Sequence, residues 1–155
     1  VAKKKSAFKE VPKIIEWLLY KEELYNYNKL SSFKIFFENV KKHKKIFRDL
    51  LLNLKDMKKK VIGYGASTKG NVILQFCNIN EKLLPYISEV NEFKHNRYTP
   101  GSKIKIISET QAVKMNPDFF LVLPWHFKNF ILNKEKKFLS NEKKIIFPLP
   151  DIEII

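Results

Sequence analysis

The chain has 155 residues, of which 45% are hydrophobic, and a formal net charge of +14 at pH 7. This length and composition fit one globular domain, alone or with a helical appendage, and the single cysteine excludes a disulfide framework and a cysteine-based zinc site. No stretch has the length and apolarity of a membrane span, and no signal-peptide pattern opens the chain. We therefore expect a cytoplasmic protein with no membrane partner.

The positive charge is concentrated towards the N-terminus. Residues 1–60 carry 17 Lys and Arg side chains against 7 acidic ones. Such a surface favours an anionic ligand or partner. A run of charges is usually a solvated helix face, however, and these lysines form no known nucleic-acid-binding motif. Because the chain starts at Val1 and not at Met, we expect a piece of a longer protein.

Two amphipathic helices are predicted before residue 59. The first spans about 12–30 and has an apolar stripe that includes Ile14 and Leu18. Ser31 or Ser32 can cap the second helix, whose apolar positions recur at alternating steps of four and three residues, as one helix face requires. These positions are Phe36, Val40, His43, Phe47, Leu50, Leu54 and Met57. We interpret His43 as a packed or partly exposed side chain and not as a ligand.

From residue 59 onwards, strands and helices alternate. The predicted elements are strand 59–63, helix 68–78, strand 85–89, strand 104–107, a short helix capped by Ser108, strand 119–123, a helix ending near 139, strand 144–147 and an edge strand over 152–155. Continuous apolar strands separated by helices indicate a parallel sheet covered on both faces. The predicted fold class is therefore α/β, a Rossmann-like parallel sheet flanked by helices and preceded by an N-terminal helical segment. We expect residues 1–58 to pack on or bridge to an absent domain, and residues 59–155 to bind the ligand.

One stretch of twelve residues, KVIGYGASTKGN at 60–71, contains three of the four glycines of the chain. It indicates a strand, a tight turn and a helix start, where glycine allows close backbone approach and the helix offers free N–H groups to an anion. Its spacing matches neither a Walker A loop nor the strict dinucleotide fingerprint. Glu89 lies 19 residues beyond Gly70, near where dinucleotide-binding folds place an acid for a ribose hydroxyl. The alternative is a strand–helix turn that binds nothing.

Two further turns are expected beside this glycine-rich turn. The loop after Glu89, with YTPG at 98–101, and the turn PWHF at 124–127 both follow predicted strands. Ligands of open parallel sheets bind beyond the carboxyl ends of the strands. We therefore expect all three turns at one rim of the sheet.

Taken together, these stretches resemble the C-terminal domain of S-adenosylmethionine-dependent sugar C-methyltransferases. The resemblance rests on GYGASTKGN, a strand ending at Glu89, RYTPGSKIKI, PDFFLVLPWHF and a closing IIFPLP, in the family's order and spacing, and covers about residues 12–155. It implies a Rossmann-like domain that helps to hold a nucleotide-linked 4-keto-6-deoxyhexose. His126 stands where many members have Asn, which leaves the identity of the sugar open.

The resemblance also implies what this chain lacks. In the family, a zinc module and a central domain with the S-adenosylmethionine site and the catalytic base precede the C-terminal domain. We find no counterpart of those sites in the sequence, and we therefore expect no catalytic residue, no metal and no cofactor in this chain. S-adenosylmethionine and zinc are expected in absent N-terminal domains. The expected partners are a nucleotide-diphosphate sugar and the central domain of the same protein, with no nucleic acid.

The substrate-binding residues that follow from the resemblance are Gly63, Tyr64, Gly65, Ala66, Ser67, Lys69, Gly70, Asn71, Glu89, Tyr98, Pro100, Gly101, Trp125 and His126. The glycines would approach a diphosphate, with Ser67 and Lys69 as donors, while Glu89 would accept a hydroxyl. Asn71 as a helix cap, and Tyr64 and Trp125 as core residues, remain open alternatives. Two other functions also remain open, a stand-alone NAD- or CoA-type nucleotide-binding domain and a basic nucleic-acid-binding module.

Overall fold

The computed structural model describes residues 12–155, so the first eleven residues of the predicted N-terminal segment lie outside the described part. The helices are α1 (Lys13–Leu24), α2 (Leu30–Asp56), α3 (Thr68–Phe76), α4 (Glu109–Lys114), α5 (Lys128–Lys134) and α6 (Lys136–Leu139). The strands are β1 (Val61–Tyr64), β2 (Tyr86–Glu89), β3 (Lys105–Ser108), β4 (Phe119–Val122), β5 (Lys144–Phe147) and β6 (Glu153–Ile154). Single turns of 3-10 helix occur at Glu92–Lys94 and Trp125–Phe127.

The six strands form one sheet in the order β3-β2-β1-β4-β5-β6. The first five strands are parallel, and β6 pairs antiparallel with β5 at the edge. This is the strand order of Rossmann-type sheets, in which the direction of winding reverses between β1 and β4. The predicted α/β fold is confirmed, and the reversal places a crevice at the carboxyl ends of these two strands.

Side chains of successive strand residues point to opposite faces of the sheet, and each face has its own core. Val61 and Leu121 belong to one apolar cluster, which also contains Leu74 of α3. Ile62 and Phe120 belong to the other cluster. Helices α4, α5 and α6 contribute Ala112, Ile131, Phe138 and Leu139 to that second cluster. Alternation of buried side chains thus explains why the strands are apolar along their whole length.

The second half of α2 belongs to the first of these cores. Phe47, Leu51 and Leu54 are buried there, and the Nε2 atom of His43 lies 2.5 Å from the carbonyl oxygen of Pro148. The interpretation of His43 as a packed side chain is therefore confirmed. The chain divides into two compact units after Lys42, inside this helix. The functional division into residues 1–58 and 59–155 stays a prediction.

The apolar series predicted for α2 is only partly buried. Phe47 and Leu54 are buried as expected, whereas Phe36 and Met57 are 67% and 65% exposed. Leu51 is 1% exposed although it falls outside the predicted series. The periodicity therefore identifies a helix correctly but misses which of its positions reach the sheet.

Helix α1 is shorter than predicted and ends at Leu24. Asn26 follows with a left-handed φ of 55°, which Asn tolerates better than most residues. Helix α2 then begins at Leu30, so Ser31 and Ser32 lie inside its first turn and the expectation that either caps it is wrong. The hydroxyl of Ser32 donates instead to the carbonyl oxygen of Asn26 over 2.8 Å.

The single helix predicted after the PWHF turn is divided. A turn of 3-10 helix leads into α5, and Glu135 separates α5 from α6. The side chain of Glu135 accepts a hydrogen bond from the hydroxyl of Tyr64, which ties this junction to β1. Among residues 12–155, no helix is long and apolar enough to cross a membrane.

Candidate functional site

A cleft of about 410 Å³ lies at the carboxyl ends of β1 and β4, where the winding of the sheet reverses. This is the position where open α/β sheets bind their ligands. Five residues predicted as site residues line it: Tyr64, Gly65, Ala66, Ser67 and Glu89. The structure therefore brings the glycine-rich turn together with the acid at the end of β2.

Hydrogen bonds and packing within the chain fix the conformation of the glycine-rich turn. Gly65 has a φ of +78° and lies against Pro124, where a Cβ would come within 2.9 Å of the proline ring. Its N–H donates to the carbonyl oxygen of Ser88 over 2.8 Å. Ser67 caps α3, since its hydroxyl accepts the N–H of Gly70 over 3.0 Å. Glycine is required here by backbone conformation and close packing.

Two backbone N–H groups at the start of α3 remain available. In the described part of the chain, the N–H groups of Thr68 and Lys69 donate to no protein acceptor. Free N–H groups at a helix start, together with the helix dipole, attract anions. The side chain of Lys69 is exposed on the same turn and adds a full positive charge. The start of α3 therefore offers two free backbone donors and one positive charge, close together in the sequence.

Glu89 is buried beneath the turn, and its carboxylate is fully occupied. Oε1 accepts the N–H groups of Val90 and Asn91 over 2.9 and 3.0 Å, and Oε2 accepts the N–H of Ala66 over 3.0 Å. The ammonium of Lys94 lies 3.2 Å from Oε2. Burial alone would raise the pKa of Glu89, but these hydrogen bonds and the Lys94 charge hold it below its usual value. Glu89 therefore stays ionised and clamps the glycine-rich turn to the loop after β2.

Lys134 and Glu109 form a second polar part of the cleft wall, next to Tyr64. The Tyr64 hydroxyl donates to Oε1 of Glu135 over 2.9 Å, and the Lys134 ammonium lies 5.5 Å from the centre of the tyrosine ring. Lys134 is also 2.5 Å from a carboxylate oxygen of Glu109 at the start of α4. Burial is the main reason that the pKa of Tyr64 rises to about 12. Tyr64 is therefore a neutral hydrogen-bond donor at physiological pH.

The remaining wall of the cleft is apolar. Pro124, Phe127, Phe130, Ile131 and Val90 line it, and Phe127 and Phe130 are 56% and 68% exposed. Exposed aromatic rings facing a polar turn suit a ligand with a flat or deoxygenated part and an anionic part.

The other predicted residues near the glycine-rich turn lie outside the lining. Gly63 packs within β1, where a Cβ would be 2.7 Å from the side chain of Ile87, and Gly70 packs against Leu123. Lys69 is exposed at the start of α3 and is not among the residues that line the cleft. Asn71 does not cap α3, because Ser67 does, and the enclosed Oδ1 atom of Asn71 has no hydrogen-bond partner in the described residues.

The YTPG turn and the residues Trp125 and His126 are placed apart from the cleft lining. Tyr98 is 62% exposed, Pro100 is exposed, and Gly101 packs against Gln75 beside a different depression. Trp125 packs against the second core cluster, and His126 is exposed. Phe127, which follows these two residues and was not predicted, contributes its ring to the lining of the cleft.

Several lining residues were not predicted from the sequence, above all Lys94, Glu109, Lys134 and Phe130. Glu109 follows β3 directly, so its position at the end of a strand could have marked it as a site residue. Lys134 and Phe130 come from α5, and nothing in their local sequence marks them. Within residues 12–155, no group of three metal-ligating side chains lies close enough together to hold a metal ion.

Comparison with known proteins identifies the family. The sequence model of the C-methyltransferase C-terminal domain matches residues 1–150. The C-methyltransferase NovU of Streptomyces niveus is 37% identical over 97 residues, which make up 63% of this chain and 23% of NovU. The match thus spans about a quarter of that relative's length. The chain belongs to the C-methyltransferase C-terminal domain family.

Proposed function

We propose that this chain is the substrate-side domain of a C-methyltransferase and binds a nucleotide-diphosphate sugar in the cleft at the ends of β1 and β4. The observation that carries the proposal is the position of this cleft, at the reversal of the sheet, in a chain of this family. The substrate class, a nucleotide-linked deoxy-ketosugar, follows from the resemblance to sugar C-methyltransferases.

The diphosphate would bind at the start of α3. The N–H groups of Thr68 and Lys69 are available there, and the Lys69 ammonium supplies a charge-assisted contact. The exposed rings of Phe127 and Phe130 face the same space and would contact the deoxygenated sugar or the base. The Tyr64 hydroxyl already donates to Glu135, but its oxygen can still accept a hydrogen bond from a hydroxyl of the sugar.

The chemical step would take place with groups from other domains. In a C-methylation of a ketosugar, a base removes the proton next to the ketone and the resulting enolate carbon attacks the methyl group of the donor. The bond between that methyl group and the donor's sulfonium sulfur breaks, and the sulfur leaves with the electron pair. We assign the base, the S-adenosylmethionine site and any zinc site to segments outside this chain. This domain would bind and orient the sugar nucleotide so that its reacting carbon faces them.

The residues of the cleft do not fit the usual mode of dinucleotide binding. In that mode an acid at the end of the second strand accepts ribose hydroxyls. Here both oxygens of Glu89 already accept bonds from Val90, Asn91, Ala66 and Lys94. A ribose could bind only by displacing one of these donors, so an NAD- or CoA-type site is the less supported function. The two lysines of the cleft lining, Lys94 and Lys134, are balanced by Glu89 and Glu109, so the lining has no excess positive charge that would favour the nucleic-acid alternative.

We further propose that residues 1–58 contact the domain that carries the methyl-donor site. No residue of α1 is buried, and its large apolar side chains Trp17 and Leu19 are 52% and 53% exposed. Monomeric soluble proteins rarely leave so continuous an apolar surface open to water. A fluorescent dye that binds apolar surface should bind this chain strongly, and Leu19→Lys should reduce that binding. A clean monomer with weak dye binding would contradict this assignment.

Calorimetric titration of the chain with deoxythymidine diphosphate tests the ligand class. We expect saturable binding that Lys69→Ala weakens on the order of tenfold, the loss expected for one charge-assisted contact. Lys82→Ala is the matched control, because Lys82 lines a depression at the opposite end of the strands. Parallel titrations with S-adenosylmethionine and NAD should show no binding. Binding of NAD instead, or equal effects of the two substitutions, would refute the proposal.

A further inference from the structure

The cleft contains two lysines, and each is paired with an acid that also lines the cleft. Lys94 lies 3.2 Å from Glu89, and Lys134 lies 2.5 Å from Glu109. A cleft that binds a diphosphate thus has both of its lining ammonium groups already engaged. The two pairs differ in how firmly the protein holds them.

The Lys94 pair is fixed. Glu89 is buried and accepts three backbone N–H groups, and the Lys94 ammonium donates to the carbonyl oxygen of Ala66 over 2.9 Å as well. Moving Lys94 towards a ligand would leave a buried carboxylate without its counter-charge. A buried ion pair broken in this way is strongly destabilising.

The Lys134 pair is held less firmly than the Lys94 pair. Both side chains are 37% exposed, and Lys134 is the only hydrogen-bond donor to the carboxylate of Glu109 within the described residues. Exposed pairs of this kind contribute little to stability. The Lys134 ammonium also rests near the face of the Tyr64 ring, directly before the glycine-rich turn. Because Lys134 lines the cleft, a change of its rotamer can turn the ammonium from Glu109 towards a ligand in the cleft.

We propose that Lys134 is a second, movable anchor for the anionic group of the ligand, and that Glu109 competes with the ligand for it. This inference rests on the proposed function, since it assigns a role at the same cleft. A diphosphate carries more negative charge than one carboxylate, so it attracts Lys134 away from Glu109. Glu109 holds the lysine charged and in place while no ligand is bound, and it lowers the affinity for the diphosphate.

The test is a double-mutant cycle with deoxythymidine diphosphate as the probe. Glu109→Gln frees Lys134 and should tighten binding on the order of threefold to tenfold, whereas Lys134→Met should weaken it by a similar factor. In the double variant, Glu109→Gln should have no further effect, because it acts through Lys134. Glu81→Gln is the control for the loss of one negative charge, since Glu81 is exposed and lies outside the cleft.

The outcomes separate this inference from the proposed function. Binding by the unaltered chain that Glu109→Gln does not change would overturn the competition while leaving the ligand class intact. A gain that persists in the Lys134→Met background would also overturn it, because Glu109 would then repel the ligand directly. Absence of binding in the unaltered chain and in every variant would overturn both. Circular dichroism of each variant shows whether the fold is retained.

Discussion

The clamp formed by Glu89 should contribute a large part of the stability of the sheet unit. In Glu89→Ala, the N–H groups of Ala66, Val90 and Asn91 and the ammonium of Lys94 lose their shared acceptor. Removing one partner of a buried charge pair costs about 3–5 kcal/mol. Glu89→Gln keeps one oxygen as an acceptor, and its cost should be smaller, about 1.5–3 kcal/mol.

Urea unfolding followed by tryptophan fluorescence measures these losses. A Trp17→Phe background leaves Trp125, which packs on the second core cluster, as the reporter of the sheet unit. Glu92→Ala is the control, because Glu92 is an exposed residue of the adjacent 3-10 turn and its substitution should change stability by less than about 0.5 kcal/mol. If Glu89→Ala lowered the free energy of unfolding by less than about 1 kcal/mol, the stabilising role assigned to Glu89 would be refuted.

The pH dependence of the same variants tests the electrostatic part of the argument. Burial alone would raise the pKa of Glu89, but the hydrogen bonds and Lys94 lower it in the folded protein. The resulting stability is fully present above the pKa in the unfolded chain, about 4.3, and is lost as pH falls through the folded value. The difference in the free energy of unfolding between the unaltered chain and Glu89→Gln should therefore become smaller below about pH 4. A constant difference down to that range would contradict this origin.

Three further substitutions in or near the same turn should have smaller effects. Gly70→Ala places a Cβ 2.4 Å from that of Leu123 and should destabilise the chain by about 1–3 kcal/mol in thermal unfolding; an unchanged melting temperature would contradict the close packing. Ser67→Ala removes the helix cap and should cost about 1 kcal/mol, whereas Ser67→Asp should restore most of it. Tyr64→Phe should remove an ionisation near pH 12 from the ultraviolet titration curve of the six tyrosines; if the variant lost an ionisation near pH 10 instead, the burial of Tyr64 and its bond to Glu135 would be contradicted.

Much of the fold could be predicted from local pattern. Strand Lys144–Phe147 coincides with its prediction, and the other parallel strands differ only by one or two residues at their ends. Buried strands of this kind are marked by their apolar runs and by glycine or proline at their ends. The helix boundaries are less clearly marked in the sequence. Asn26, just after α1, has a left-handed conformation, and Glu135, between α5 and α6, bonds to Tyr64, which is distant in sequence.

The site could be predicted only where the chain is locally continuous. The turn from Tyr64 to Ser67 and the acid Glu89 follow strands, and topology alone places them together. Lys134 and Phe130 reach the cleft because α5 packs on the sheet, and that packing depends on contacts distant in sequence. The hydrogen bonds that occupy Glu89 were equally invisible, since a sequence shows an acid but not the donors around it.

The way in which the protein holds its own glycine-rich turn has a consequence for binding kinetics. The N–H groups of Gly65 and Ala66 and the hydroxyl of Ser67 are all engaged within the chain. Ordering a free backbone costs about 1–2 kcal/mol per residue, and this turn incurs no such cost when a ligand arrives. Association should therefore be a single step whose observed rate rises linearly with ligand concentration, without the plateau that a slow loop closure produces.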